Sequence, residues 1–200
     1  MGKPLGDAAL DQIFRTARTR RGWTDEETPE ILIRAAYDLA KLGPTASNIT
    51  PGRFLFVRSK EAKARLAPHL DEGNRKQTMA APYTAIVAYD EAFADHLLKL
   101  IPHAPNAKEW FAEPKNAEWN AIQSGTLQGA YLLIAARSLG LDCGPMNGFR
   151  REGVDKEFFL GDPVMKTWRS NFLINIGHGD DTRVRPRAPR LDFDEACRII

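Results

Sequence analysis

The chain is poor in cysteine, in long apolar runs and in net charge. Its two cysteines, Cys143 and Cys197, are too few for a disulfide framework or a thiolate metal cage. No apolar stretch approaches the ~20 residues of a bilayer-spanning helix, and the first residues lack the apolar core of a signal peptide. The 28 basic and 26 acidic residues leave a net charge of +2, which gives no overall attraction to nucleic acid or membrane. We therefore expect a cytoplasmic protein that binds neither.

Sequence motifs for catalysis by the protein's own side chains or by a bound metal are also missing. The histidines show no metal-ligand spacing, so no metal site is predicted; they are His69, His96, His103 and His178. There is no Gly-x-Ser-x-Gly elbow and no evident pair of catalytic carboxylates. Every fourth residue from 140 to 148 is glycine, which is not the spacing of a nicotinamide Rossmann motif. No catalytic residue is identified, which fits a bound cofactor that carries out the reaction.

The sequence does contain a sufficient core and clear helical periodicity. Hydrophobic residues make up 43% of the 200 positions, which suits a single domain over residues 1–200. Apolar spacing predicts helices over residues 7–20 and 28–42. In the second helix, Thr28 is the predicted N-cap and Pro29 the first helical residue.

A third helix is predicted over residues 119–139, and strands follow from shorter patterns. This helix is apolar on nearly every face, which indicates a central, buried position, and Gly140 suits a left-handed end. Short β-branched or aromatic runs predict strands at residues 53–58, 84–89, 141–144 and 171–177. Residues 93–115, with scattered prolines and aromatics, predict a loop or short-helix excursion. Because two helices precede the first strand, we expect an α+β fold and not a doubly wound sheet.

Arginines are concentrated near both ends of the chain. The first cluster comprises Arg15, Arg18, Arg20 and Arg21 and includes Thr19, and the second comprises Arg183, Arg185, Arg187 and Arg190. Guanidinium groups bind phosphate bidentately, and a hydroxyl adds a short hydrogen bond. The alternatives are a solvated helix end for the first cluster and a charged extended arm for the second. Charge alone does not decide between these interpretations.

Two loops bring small and polar residues close together. Residues 44–51 set Ser, Thr and Asn side chains between two prolines, which makes a stiff loop with exposed donors for the edge of a planar heterocycle. An ordinary turn is the alternative for this loop. Residues 143–149 contain two glycines, through which the backbone can approach a flat ring.

In order and spacing, these segments resemble the nitroreductase superfamily over nearly the whole chain. Residues 18–23 (Arg-Thr-Arg-Arg-Gly-Trp) are similar to its opening motif, and residues 44–51 to its Pro-Ser-x-x-Asn-x-x-Pro loop. Residues 74–77 (Asn-Arg-Lys-Gln) ahead of Ala81-Pro82 are similar to its Asn-x-x-(Lys/Gln) segment, and residues 140–149 to its Gly-x-Asp-x-Gly-Pro-Met-x-Gly-Phe stretch. The resemblance implies a three-layer sandwich, with a central, mostly antiparallel sheet flanked by helices, in an intertwined homodimer.

The resemblance also implies FMN as the cofactor and NADPH or NADH as the hydride donor. The flavin phosphate and pyrimidine side would be bound by Arg18, Thr19 and Arg21, with Arg187 and Arg190 completing the phosphate site. From the partner subunit, the flavin would be reached by Pro44, Thr45, Ala46 and Asn48. Its polar edge would be lined by Asn74 and Gln77, and its N5 region by Asn147 and Gly148.

Within the superfamily, residues 17–23, 42–45, 175–180 and 189–191 resemble the malonic semialdehyde reductases of pyrimidine degradation. This implies reduction of 3-oxopropanoate to 3-hydroxypropanoate by ping-pong hydride transfer, with Arg20 or Arg53 available to pair with the substrate carboxylate. The alternatives are a general nitro- or quinone reductase, a flavin-binding protein without turnover, and an arginine-rich nucleic-acid-binding module. The near-zero net charge disfavours the last of these.

Overall fold

The computed structural model describes residues 2–200, in which helices and strands follow one another irregularly. The α-helices are α1 (Asp7–Leu10), α2 (Glu30–Ala40), α3 (Lys60–Leu66), α4 (Glu72–Ala80), α5 (Leu97–Leu100), α6 (Pro114–Ser138), α7 (Arg151–Phe158) and α8 (Phe193–Ala196). The strands are β1 (Gly52–Val57), β2 (Tyr83–Asp90), β3 (Asp142–Met146) and β4 (Trp168–Gly177). Short 3-10 turns cover Ala46–Asn48, Ala67–His69, Phe93–His96, Ala107–Phe111 and Asp181–Arg183. All four predicted strands are confirmed.

The strands form one antiparallel sheet in the order β1-β2-β4-β3. On β2, Ala85 pairs with Phe56 of β1 and with Ile174 of β4, so β2 lies inside the sheet. On β3, Asp142 pairs with Gly177 of β4. The start of β3 and the end of β4 therefore meet at one corner of the sheet, and the candidate site is built there.

Helices cover both faces of the sheet. On one face, α2 and α6 pack against Ala85 and Val87 of β2 and Ile174 of β4, which are all fully buried. On the other face, α3 and α7 pack against Ile86 and Leu173. Because successive strand side chains point to opposite faces, the apolar runs of β2 and β4 supply both cores. The predicted α+β class and three-layer arrangement are confirmed.

Helix α6 crosses one face of the sheet and differs in two respects from the prediction. It begins at Pro114, earlier than expected, because the Glu113 carboxylate caps the amides of its first turn. Its predicted burial on nearly every face is wrong, since Trp119 is 63% exposed and Leu127 is 42% exposed. The covered parts of the helix face α2, the sheet and the turns Asp11–Arg15 and Ala107–Phe111. Gly140 has a φ of +82° and ends the helix as predicted.

The first predicted helix is shorter than its apolar pattern indicates. Helix α1 runs into a π-helical turn, Asp11–Arg15, in which the Thr16 N–H binds the Asp11 carbonyl at 2.9 Å. The chain leaves the helix at this turn. The interpretation of the first arginine cluster as a solvated helix end therefore applies to Arg15 alone.

The predicted cap of α2 is also wrong. Pro29 is the N-cap residue, and the Thr28 hydroxyl is buried without a hydrogen-bond partner among residues 2–200.

The predicted excursion at residues 93–115 consists of short helical turns that pack Phe93, Leu97 and Ile101 into a third apolar cluster. No helix within residues 2–200 has the length and apolar character needed to cross a bilayer.

Candidate functional site

The first arginine cluster lies along the corner where β3 begins and β4 ends. Thr19 forms a parallel bridge with Cys143, and the Arg20 N–H donates to the Cys143 carbonyl at 3.0 Å. Farther along, Trp23 forms an antiparallel bridge with Gly179. Residues 19–23 thus extend the sheet at its edge. Gly144 permits this approach, because a Cβ there would stand 2.5 Å from the Arg20 carbonyl oxygen.

Arg20 fastens this segment and is not free for substrate. Its Nε lies 2.8 Å from Asp142, its Nη1 lies 2.5 Å from Asp181, and its side chain is 12% exposed. Partial burial opposes the charged form, but the hydrogen bonds that Arg20 donates to Asp181 and Asp142 outweigh it and raise the pKa of Arg20. Arg53 is likewise paired with Asp90 at 2.8 Å. The expectation that Arg20 or Arg53 is spare for a substrate carboxylate is therefore wrong.

Unlike Arg20, the arginines beside it and in the tail are not paired with carboxylates within the described residues. Arg18 donates to the Arg185 carbonyl, and Arg187 donates to the carbonyls of Arg15 and Ala17 at 2.6 and 2.8 Å. The two arginine clusters, far apart in sequence, therefore lie side by side. Within residues 2–200, no carboxylate forms an ion pair with Arg18, Arg21 or Arg187. Positive charge is thus left uncompensated beside the hydroxyl-bearing Thr19, as a phosphate site requires.

Arg190 binds only its own segment of the tail. Its guanidinium donates to the carbonyls of Ala188 and Pro189, both at 3.0 Å, and the side chain is exposed. No hydrogen bond in the described part of the chain joins it to residues 15–21. The structure therefore ties Arg187 to the first cluster by hydrogen bonds, and the expected role of Arg190 at the phosphate stays a prediction.

The predicted residues on α4 and after β3 form one hydrogen-bonded group. Asn74 Nδ2 donates to the Gly148 carbonyl at 3.0 Å, and Gln77 Nε2 donates to Asn74 Oδ1 at 2.8 Å. Gln77 is buried and Asn74 partly buried, whereas Asn147 is exposed. A Cβ on Gly148 would stand 2.4 Å from Asn74 Nδ2. Two side-chain amides and closely approaching backbone thus lie together, with the Asp71 carboxylate beside them at 2.7 Å from the same Cβ position.

Trp23 joins the arginine clusters to the amide group. Its indole Nε1 donates to the Gln77 carbonyl at 3.0 Å, and the ring packs on Gly177 of β4. The sequence motif contained Trp23 but gave no reason to assign it a role. The structure makes it the link that sets α4 beside residues 18–21.

The loop of residues 44–51 is strained and lies elsewhere in the protomer. Ser47, Asn48 and Thr50 have φ values of 45°, 56° and 36°, a left-handed conformation that side-chain-bearing residues rarely adopt. The Tyr131 hydroxyl donates to the Pro44 carbonyl at 2.9 Å, and Asn48 Nδ2 donates to the Leu100 carbonyl at 3.0 Å. No hydrogen bond of residues 2–200 joins this loop to the arginine clusters or to the amide group. Its expected role toward a partner subunit stays a prediction.

A buried ammonium group holds the end of α4. Lys63 of α3 is 3% exposed, and its Nζ donates to the Thr78 carbonyl at 2.6 Å and to the Ala81 carbonyl. These carbonyls belong to the last turn of α4 and its cap, where a cation is favourable. Burial lowers the pKa of Lys63 from its ordinary 10.5 to about 8.

This pKa predicts a stability that rises with pH. Below pH 8 the folded and unfolded chains both carry the proton, but between pH 8 and 10.5 mainly the unfolded chain does. From pH 7.5 to 9.5, wild type should therefore gain about 2 kcal/mol in free energy of unfolding relative to Lys63→Met. Urea denaturation of both proteins at the two pH values measures this difference. A difference that is the same at both would contradict a desolvated ammonium.

No group of three or more His, Cys, Asp or Glu side chains able to hold a metal ion occurs in residues 2–200. Cys143 is buried, and burial raises the pKa of its thiol to about 12, so it is not a nucleophile at neutral pH. The described site consists of guanidinium, amide and backbone groups. These groups bind and orient, and they supply no redox chemistry of their own.

Fold and site together define an α+β protein with unpaired guanidinium groups and a hydrogen-bonded amide group at the edge of its sheet, an arrangement suited to an anionic, planar cofactor. The model of the nitroreductase family matches residues 14–178. The chain therefore belongs to the nitroreductase family.

Relatives that align with nearly the full chain carry one name. A "Putative NADH dehydrogenase/NAD(P)H nitroreductase" of Stenotrophomonas maltophilia (strain R551-3) is 54% identical over 200 residues, which is 100% of both chains. A protein of the same name from Caulobacter sp. (strain K31) is 53% identical over 196 residues, which is 98% of both chains.

Solved structures of lower identity share the fold. A "putative nitroreductase in complex with FMN" from Exiguobacterium sibiricum 255-15 has a TM-score of 0.85 at 21% identity, with 100% of both chains covered. The nitroreductase family protein of Streptococcus pneumoniae TIGR4 has a TM-score of 0.82 at 22% identity, with 94% of this chain and 98% of that one covered. These likenesses support the three-layer arrangement described above.

Proposed function

We propose that the protein is an FMN-dependent NAD(P)H oxidoreductase. The observation that carries the proposal is that uncompensated guanidinium groups and a neutral amide group lie on either side of Trp23. FMN has the matching chemistry, since a phosphate and a polar heterocyclic edge lie at its two ends. The names of the two relatives and the FMN complex of the Exiguobacterium protein are consistent with it.

The residues have separate tasks in this proposal. Arg18, Arg21 and Arg187 bind the phosphate with the help of the Thr19 hydroxyl, because their charges are not neutralised within the chain. The amides of Asn74 and Gln77 orient the polar edge, and Gly148 and Asn147 present backbone and side-chain polar groups beside it. Bound FMN would supply the hydride transfer between NAD(P)H and the acceptor.

Flavin binding tests the phosphate assignment. The double variant Arg18→Gln/Arg21→Gln should bind FMN at least 100-fold more weakly than wild type, since each charged hydrogen bond contributes about 1.5–3 kcal/mol. Arg34→Gln is the matched control, because Arg34 is exposed and already paired with Glu30 at 2.6 Å. Quenching of FMN fluorescence gives the affinities, and anaerobic NADPH should bleach the bound flavin. A wild-type protein that binds no FMN would overturn the proposal.

We propose malonic semialdehyde as the acceptor, on the motif resemblance in residues 17–23 and 175–180. The relatives' names favour a second candidate, a general nitroreductase. Turnover of malonic semialdehyde, nitrofurazone and a quinone by pure, FMN-loaded protein separates the two. Malonic semialdehyde should give the highest kcat/KM, and negligible aldehyde turnover beside rapid nitrofurazone reduction would favour the second candidate.

We further propose that the protein is a homodimer in which residues 44–51, with Pro44, Thr45, Ala46 and Asn48, complete the partner's flavin site. Large apolar side chains are left exposed, among them Phe14 at 55%, Leu127 at 42% and Phe193 at 58%. Such exposure is typical of surfaces that associate. Light scattering of the FMN-loaded protein should give the mass of two chains, and a flavin-bound monomer would contradict this.

A further inference from the structure

We propose that Arg75 and Arg150 form an anion subsite beside the amide group, for a carboxylate on the acceptor or a phosphate on the nicotinamide nucleotide. The inference rests on the proposed function and identifies an anionic group as the feature of the reactant that the same site selects. Arg20 and Arg53 are both paired within the chain, so an anionic reactant needs another cation. Arg75 and Arg150, which lie close to Gly148 along the chain or through hydrogen bonds, supply this positive charge.

The two arginines bind carbonyls of the same turn although 75 positions along the chain separate them. Arg75 Nε donates to the Ala67 carbonyl at 3.2 Å, and Arg150 Nη2 donates to the Pro68 carbonyl at 2.5 Å. Ala67 and Pro68 are consecutive residues, whose Cα atoms lie about 3.8 Å apart. The two guanidinium groups therefore donate hydrogen bonds to the same turn, Ala67–His69.

This turn is attached directly to the amide group. The Arg150 N–H donates to the His69 carbonyl at 2.8 Å, and Leu70 forms an antiparallel bridge with Phe149. The Gly148 carbonyl accepts from the Asp71 N–H and from Asn74 Nδ2, both at 3.0 Å. Arg150 is thus two residues from Gly148, and Arg75 directly follows Asn74.

Neither arginine of the pair is bound to a carboxylate of the described chain, although the Asp71 carboxylate also lies beside Gly148. Acidic side chains occur nearby in sequence at Asp71, Glu72 and Glu152, but no ion pair in residues 2–200 joins them to Arg75 or Arg150. Both arginines are exposed and donate only to backbone carbonyls. Each guanidinium carries five N–H donors in a rigid fork, so donors remain for a carboxylate or phosphate.

A purely structural role is the competing explanation. Cations favour the carboxyl-terminal end of a helical turn, and both side chains bind carbonyls of the turn Ala67–His69. Such a role predicts a loss of stability and equal effects on charged and neutral reactants. Selectivity for the anion distinguishes the two explanations.

The test uses FMN-loaded protein and two matched acceptors, 4-nitrobenzoate and 4-nitrobenzyl alcohol. In Arg75→Gln/Arg150→Gln, the KM for 4-nitrobenzoate or the KM for NADPH should rise about tenfold more than the KM for the neutral alcohol. A selective rise for nitrobenzoate identifies the acceptor carboxylate as the ligand, and a selective rise for NADPH identifies the nucleotide phosphate. Arg75→Lys/Arg150→Lys should recover part of the loss, since the charge is kept and the fork is lost.

Arg34→Gln is the control, and it should leave the ratio of the two acceptor KM values unchanged. Equal KM changes for all three reactants, with a lowered Tm, would overturn the subsite and leave the proposed function intact. A wild-type protein without flavin would overturn both. Flavin titration of every variant separates these two failures.

Discussion

Gly144→Ala should weaken FMN binding at least tenfold and lower the stability of the fold by about 1–3 kcal/mol, as overpacking does. The new Cβ would stand 2.5 Å from the Arg20 carbonyl oxygen, which is backbone and cannot turn aside. Residues 19–21 would have to move off β3, with loss of the 3.0 Å hydrogen bond from Arg20 to Cys143. Arg18 and Arg21 would then be displaced from the tail arginines.

Urea denaturation and flavin titration measure the two effects. Gly161→Ala is the control, because a Cβ there meets nothing within 4 Å and the backbone does not require glycine. The control should match wild type in both measurements. A Gly144→Ala protein with normal FMN affinity would show that the segment of residues 19–21 is not held against β3 in solution.

Gly148→Ala should weaken FMN binding by about tenfold with little loss of stability, at most about 1 kcal/mol. Here the new Cβ would meet the ends of two side chains, Asn74 Nδ2 at 2.4 Å and Asp71 Oδ2 at 2.7 Å. Side-chain ends can rotate away, so the fold tolerates the methyl group. The Asn74 amide nevertheless loses its position against the Gly148 carbonyl, and Gln77 loses its acceptor on Asn74.

The contrast between the two variants is the sharper test. Both add one methyl group at a site glycine, but only Gly144→Ala pushes against backbone. If Gly148→Ala unfolds as readily as Gly144→Ala, then residue 148 serves the core rather than the flavin edge. If it binds FMN normally, then Asn74 and Gln77 do not form that edge.

Much of the fold could be predicted because its signals are local. The strands followed from short β-branched and aromatic runs, and Gly140 marked the end of α6. The start of α6 was missed because the Glu113 cap lies in a segment rich in proline and aromatics. The end of α1 was missed because the helical pattern continues past the π-helical turn at Asp11–Arg15.

The candidate site, like the fold, could be predicted only in part from the sequence. The family resemblance implied that Asn74 and Gln77 line the polar edge of a flavin and that Gly148 lies near its N5 region, and hydrogen bonds join these residues. No sequence pattern indicated that Trp23 is the link, or that Arg75 and Arg150 bind the same turn. These depend on contacts between distant segments, which no local pattern records.

The sequence by itself determined the strands, the α+β class and two clusters of arginine, and its resemblance to a known family implied the helical layers. Only the tertiary structure decided which arginines remain available. Arg20 is neutralised by Asp142, 122 positions along the chain, whereas Arg18 and Arg21 beside it meet no carboxylate. A guanidinium binds a ligand phosphate or a protein carboxylate according to what folding brings within about 3 Å of it, and that proximity is a property of the packed chain.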